Sequence, residues 1–168
     1  MTVNDLRRLY DYGSWANRKV FSAIEQLKPE QFTQPVAGSY GSVRNTLVHT
    51  MSAEWGWLDR CGGKARGAKL NPEDYPTSQS VVDGWSRVDQ YGREFLSTLT
   101  DRDLARIVDC SFPGGPPRSL PLGALMQHAA LHAIHHRGQV ALLLRELGVP
   151  PGNFDLLFYD FENRSVAV

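Results

Sequence analysis

The chain has 168 residues, an apolar share of 42%, and 18 Lys plus Arg against 18 Asp plus Glu. Cores commonly stop growing only above about 250 residues, so one domain spanning 1–168 is expected, with enough apolar material to fill it. The balanced charge supplies no global field to draw in nucleic acid or an anionic membrane, and neither is expected as a partner.

The first residues, Met1 to Gly13, carry charges where a signal peptide needs an apolar run. No stretch approaches the ~18 apolar residues of a membrane span, so a cytoplasmic protein is expected. The two cysteines, Cys61 and Cys110, lack the Cys-x-x-Cys spacing, and reduced thiols rather than a disulfide are expected.

Asn4 reads as the cap of a first helix, in which Leu6, Leu9, Tyr10, Gly13, Val20, Ile24 and Leu27 recur at helical spacing until Lys28-Pro29 stops it. A Gly- and Pro-containing loop follows. Ser42 then caps a second helix with the stripe Val43, Leu47, Met51 and Leu58, closed by Cys61-Gly62-Gly63. Gly62 to Pro76 is polar and reads as a long surface loop. Ser80 opens a third helix with Val81, Trp85, Val88, Phe95 and Leu99 at bundle-seam spacing. Arg106 to Cys110 leans towards strand, and Pro113-Gly114-Gly115-Pro116-Pro117 behind it marks a small hairpin or irregular excursion. Ser119 and Pro121 start the last long helix, which runs to Glu146-Leu147 and stops at Gly148, and Phe154 to Phe161 reads as a short helical tail. The fold class is therefore all-α: a four-helix bundle with an excursion before the last long helix, a connection long enough for a crossover rather than a simple up-down order.

Four of five histidines, His128, His132, His135 and His136, lie within nine residues of that last helix. On a wheel of about 100° per residue, His132 and His136 share the apolar stripe of Leu125, Ala129, Val140, Leu143 and Leu147. Imidazoles there lose water and need partners, and two of them one turn apart can converge on a single ion. His128 and His135 fall beside Gln139 on a polar flank and read as pocket-rim or supporting residues. His49, midway along the second helix, has the small and polar Asn45, Ser52, Ala53 and Gly56 as neighbours, but it lies off the Val43–Leu47–Met51 stripe, so taken alone it reads more readily as simply exposed. The bland reading of His-x-x-x-His on a helix, a pair of satisfied imidazoles, also stands on spacing alone. Trp15, Trp55, Trp57 and Trp85 read as packing or interface residues, and Arg137 as a partner for a carboxylate such as Glu54.

These residues resemble the DinB-like (DinB/YfiT-like) metal-binding four-helix bundles over nearly the whole chain. The likeness rests on Tyr12-x-x-Trp15-Ala16-Asn17, on Ser42-Val43-Arg44-x-Thr46-Leu47-x-His49, on His132-x-x-His135-His136-Arg137-Gly138-Gln139, and on the ending Leu147-Gly148-x-Pro150-Pro151 with Asp155-Leu156-Leu157. It implies a metal triad of His49, His132 and His136, with His128 at a position where the family often has a further histidine. Three neutral imidazoles suit Zn²⁺ or Ni²⁺ and leave coordination positions open, as in a catalytic site. No carboxylate in the matched motifs is an evident fourth ligand, which leaves Glu54 and Asp11 as supporting candidates.

The resemblance also implies a bacterial, cytoplasmic protein acting on a small-molecule substrate, and a homodimer. Its expected chemistry is metal-dependent activation of a low-molecular-weight thiol for S-transfer to an electrophile, with His128 or His135 helping to take the proton. A hydrolase with the same ligands, and a non-catalytic, stress-induced binder of metal or small ligands, are the alternatives.

Overall fold

A computed structural model describes residues 1–65, 67–112 and 114–163. Arg66 and Pro113, which fall in the two expected excursions, lie outside the described residues.

Helix α1 spans Val3–Ile24 and is capped by Thr2, two residues before the expected Asn4. Thr2 Oγ1 accepts from the Asp5 amide at 3.2 Å while the Asp5 carboxylate accepts from the Thr2 amide at 2.7 Å, a reciprocal pair that satisfies two end donors. Asn4 instead accepts from Arg7. Helix α1 ends at Ile24 with Glu25 as its cap, short of the expected Leu27, so Pro29 does not stop it but starts a helix that was not expected: α2, Pro29–Thr33, which sends Phe32 into the core. Helix α3 spans Val43–Cys61 behind the expected cap Ser42. Helix α4 spans Ser78–Ser97, opened by Thr77 rather than Ser80, which is the reciprocating third residue of that cap.

The hairpin is small: β1, Ile107–Asp109, pairs antiparallel with β2, Ser119–Pro121, with Val108 opposite Leu120. Ser119 therefore belongs to a strand, and α5 begins directly after Pro121, spanning Leu122–Glu146. Gly148 ends it at φ 81°, a conformation open to glycine. Helix α6, Leu156–Asn163, closes the described chain.

The long helices α1, α3, α4 and α5 form the bundle. Helices α4 and α5 each pack against both α1 and α3. Thus α1 and α3 face each other across a diagonal, and the connections α1 to α3 and α4 to α5 are crossovers, the arrangement that the long excursion before α5 permits. Leu6, Ile24, Val48, Met51, Leu58, Val81, Leu122, Leu125, Met126 and Leu144 fill the interior. At Gly84 a Cβ would stand 2.7 Å from Tyr75 Cε1 and 3.0 Å from Met51 Sδ, so a larger residue there would displace the Tyr75 ring and the Met51 side chain that pack on α4.

The four tryptophans have partners within the chain: Trp15 with Tyr159, Trp55 with Tyr91, Trp85 with Phe21, and Trp57 with Phe112 and His128. Cys61 and Cys110 are free and buried. No helix among the described residues is long and apolar enough to cross a membrane.

Candidate metal centre

Helix α3 lies between α4 and α5, so more than one of its faces is covered. The Val43, Leu47 and Met51 face is buried, and His49 stands on a different face, towards α5, where it is half-buried. From α5, one turn apart, come half-buried His132 and buried His136. The structure brings these three together: one ring nitrogen of each lies within 4.8 Å of the others. They form a group that can hold a metal ion.

The donor atoms can be assigned by chemistry. Gln139 Oε1 lies 2.7 Å from His136 Nδ1 and can only accept, so Nδ1 carries the proton and Nε2 presents its lone pair to the centre. His136 Nε2 lies 3.1 Å from His132 Nε2. The edge of a tetrahedron with Zn–N bonds of about 2.0–2.1 Å is about 3.3 Å, so this spacing fits two ligands of one ion.

Burial lowers the pKa of His132 to about 4, helped by the nearby imidazoles of His136, His49, His128 and His135. Burial likewise lowers that of His136, opposed by its bond to Gln139 and reinforced by His135. Both rings are neutral at physiological pH, as ligands must be. The donor set holds no carboxylate or thiolate, which suits an imidazole-preferring transition ion and not Mg²⁺ or Ca²⁺.

A second layer fixes these rings. Ser39 Oγ donates to Gln139 Oε1 at 3.0 Å and accepts from Thr46 Oγ1 at 2.9 Å, whose proton is shared with the Ser42 carbonyl at 2.8 Å. Gln139 is thereby tied to the start of α3. Tyr40 stacks on His49 with ring centroids 3.7 Å apart and meets His136 edge-on at 5.5 Å. This roof is possible because Gly38, Ser39 and Gly41 all take positive φ, turning the loop back over the site. Sequence reasoning missed Ser39 and Tyr40. Their signal is the Gly38-x-x-Gly41 spacing immediately before a helix cap, which marks a reversing loop but not what it covers.

His128 and His135 are both exposed, and the structure separates them. His128 meets the Trp57 ring at 4.9 Å and lines a cavity of about 250 Å³ together with His49, His132, Trp57 and Phe112. His135 accepts from Gln139 Nε2 at 3.3 Å on the other side of the centre.

Neither carboxylate candidate joins the group. Asp11 pairs with Arg93 at 3.1 Å. Glu54 lies in an internal polar cavity of about 20 Å³ shared with Ser14, Asp89 and Arg137. Arg137 is buried there, donating to Asn17 Oδ1 at 3.1 Å and the Gly13 carbonyl at 3.4 Å rather than forming a close ion pair with Glu54. Glu54 as a residue keeps some exposure, but its carboxyl is deep among these helices. Burial pushes its pKa from 4.5 to about 7, against the pull of Arg137 and with the help of Asp89.

Protein DinB of Bacillus subtilis (strain 168) is 22% identical to this chain over 165 residues, covering 94% of this chain and 95% of its own. YizA of the same organism, an uncharacterised protein, is 24% identical over 147 residues, covering 87% and 90%. The crystal structure of a DinB-like protein from Bacillus cereus ATCC 10987 superposes with a TM-score of 0.70 at 24% identity, covering 90% of this chain and 97% of its own, a likeness of fold. The model of the DinB family matches residues 1–165, the stretch that carries all three converging histidines, and the chain belongs to the DinB family.

Proposed function

We propose that the chain is a metal-dependent enzyme that activates a low-molecular-weight thiol for transfer to an electrophile, with His49, His132 and His136 holding one Zn²⁺ or Ni²⁺. The observation that carries this reading is that two of the three converging imidazoles, His49 and His132, also form part of the wall of a cavity of small-molecule size. A divalent ion bound by three neutral ligands supplies Lewis acidity that favours a thiolate at neutral pH, where a free thiol of pKa about 8.5 is mostly protonated.

The chain's own residues do the rest. Gln139 holds His136 with its Nε2 inward, and Tyr40 stacks on His49 and fixes the plane of its ring. His128, on the cavity wall, takes the proton that the thiol loses, a role for which His135 is misplaced. The thiol comes from outside the protein. Cys61 is buried, and burial pushes its thiol up to about 12, far from a nucleophile, while neither cysteine is among the residues lining the cavity. The protein works in the cytoplasm on a small molecule, and pairs as a homodimer.

The test incubates tag-free, metal-reconstituted protein with a panel of thiols and a generic aryl halide electrophile. Turnover should require both metal and thiol, fall on His49→Ala, and survive the double change Cys61→Ser with Cys110→Ser. Cleavage of an ester or amide without any thiol would replace this reading with the hydrolase, and saturable binding without turnover would replace it with a non-catalytic binder.

A further inference from the structure

The cavity beside the histidines has a second end that the proposed chemistry does not use. Its floor is one face of α3: His49, Ala53, Gly56 and Arg60 follow each other at steps of four, three and four residues. Ala53 and Gly56 are small and leave depth between the imidazole and the guanidinium. About 16 Å of helix axis separates His49 from Arg60, part of it bridged by the two side chains. The trough thus runs from the histidine centre to a cation.

Arg60 is held firmly there. Its guanidinium stands 5.2 Å from the Trp57 ring centroid and 5.3 Å from that of Phe112. It donates to the Cys110 carbonyl at 3.3 Å and the Ser111 carbonyl at 3.0 Å, which anchors it to the end of the hairpin and leaves most of its N–H donors over. All of these partners are neutral, and Arg60 forms none of the ion pairs among the described residues. Asp109 is close enough for Arg60 to help lower its pKa, but the carboxylate is turned to Ser111, accepting from its amide at 2.8 Å and its hydroxyl at 2.6 Å. Exposed Lys69 adds a second cation to the same cavity, and no carboxylate lines it. A rigid, planar fork on aromatic faces, with its charge unpaired at the end of a small-molecule trough, is built for a carboxylate.

We infer that the substrate entering this cavity is an acidic one: a low-molecular-weight thiol whose sulfur reaches the histidine centre while a carboxylate several bonds away pairs with Arg60, assisted by Lys69. The identity of the sulfur end rests on the function proposed above. The acid end rests on Arg60 and Lys69 alone, and the two are tested separately.

Matched probes differing only at the far end are 6-mercaptohexanoate and 6-mercapto-1-hexanol, titrated by calorimetry into zinc-reconstituted protein. The carboxylate probe should bind at least tenfold more tightly. Arg60→Gln should reduce that ratio to near one with zinc content unchanged, and Arg60→Lys, which keeps the charge without the fork, should retain part of it. A ratio near one in the wild type, or a ratio that Arg60→Gln leaves intact, overturns the inference. If loss of the hairpin anchor unfolds Arg60→Gln, Lys69→Gln serves, with a ratio at least threefold lower expected and an unchanged ratio refuting. If the protein takes up no zinc, the metal reading fails and hexanoate against hexanol, which lack sulfur, still reads the acid end: Arg60-dependent preference for hexanoate supports the inference, and equal binding sinks it.

Discussion

Gln139→Ala is the sharpest test of how the proposed centre is organised, because Gln139 lies next to the three converging histidines without belonging to them. Its Oε1 accepts from His136 Nδ1 at 2.7 Å and from Ser39 at 3.0 Å, so one atom fixes both the tautomer of a ligand and the loop that carries Tyr40. Truncation leaves the Nδ1 proton of His136 without its acceptor. The ring is then free to turn or to exchange tautomers, and only part of its population presents a bare Nε2 to the ion. Loss of such a supporting bond typically lowers metal affinity 10–100-fold, about 1.4–2.7 kcal/mol. Gln139→Glu keeps the acceptor and should keep the affinity. Competition against a chromophoric chelator at pH 7.5 measures both variants, and the metal-free melting temperature of each checks that the fold is unchanged. A Gln139→Ala affinity within twofold of wild type, or a Gln139→Glu affinity as low as that of Gln139→Ala, would show that packing alone orients His136 and would refute the reasoning.

Element analysis of reconstituted protein should give about one ion per chain, lost in large part in His132→Ala or His136→Ala, because two remaining imidazoles form a weak site, and retained in His128→Ala and His135→Ala. Removal of the ion by a chelator should leave helical circular dichroism and a cooperative melt at lower temperature, since the apolar core stands without it. The loss should follow mass action, about 2.7 kcal/mol for an ion supplied at 100 times its Kd, and collapse of the helical signal would mean that the ion is structural. Glu54 gives a pH signature: its pKa is raised on folding from 4.5 to about 7, so the folded state holds the proton more tightly. Its contribution is fully present below about pH 4.5 and is lost as pH rises through 7. Urea titrations should therefore find Glu54→Gln close to wild type at pH 4.5 but more stable at pH 8, by up to about 3 kcal/mol, and equal stability at pH 8 would contradict the buried carboxyl.

The long helices were legible because a bundle writes its core at intervals of three and four residues, and α1, α3, α4 and α5 each carry such a stripe. What slipped was local and small. Asn4 and Ser80 are competent caps, but Thr2 and Thr77 each have a reciprocating residue three positions on, Asp5 and Ser80, so the earlier start satisfies one more end donor. Helix α2 was hidden because five residues are too few for a period, and Pro29 reads as a stop to the helix before it while serving as the start of the next.

The site divides along the same line between what one helix can encode and what only packing creates. His132 and His136 share α5, so their convergence is a matter of helical pitch and is present in the sequence. His49 is different. It lies off the stripe that faces α4, and a wheel cannot tell a second buried face from an exposed one. Only the position of α3 between α4 and α5 makes that face interior, which is why the resemblance to a family, and not periodicity, pointed to it. Arg60 obeys the same logic at one further remove. It follows His49 at steps that keep to one face, through Ala53 and Gly56, but a small-residue run ending in arginine is an ordinary solvent-facing pattern until Trp57, Phe112 and the hairpin close around it. The chemistry of a bundle site is thus written one helix at a time, and the residues that decide what the site accepts are those whose meaning depends on the neighbouring helix.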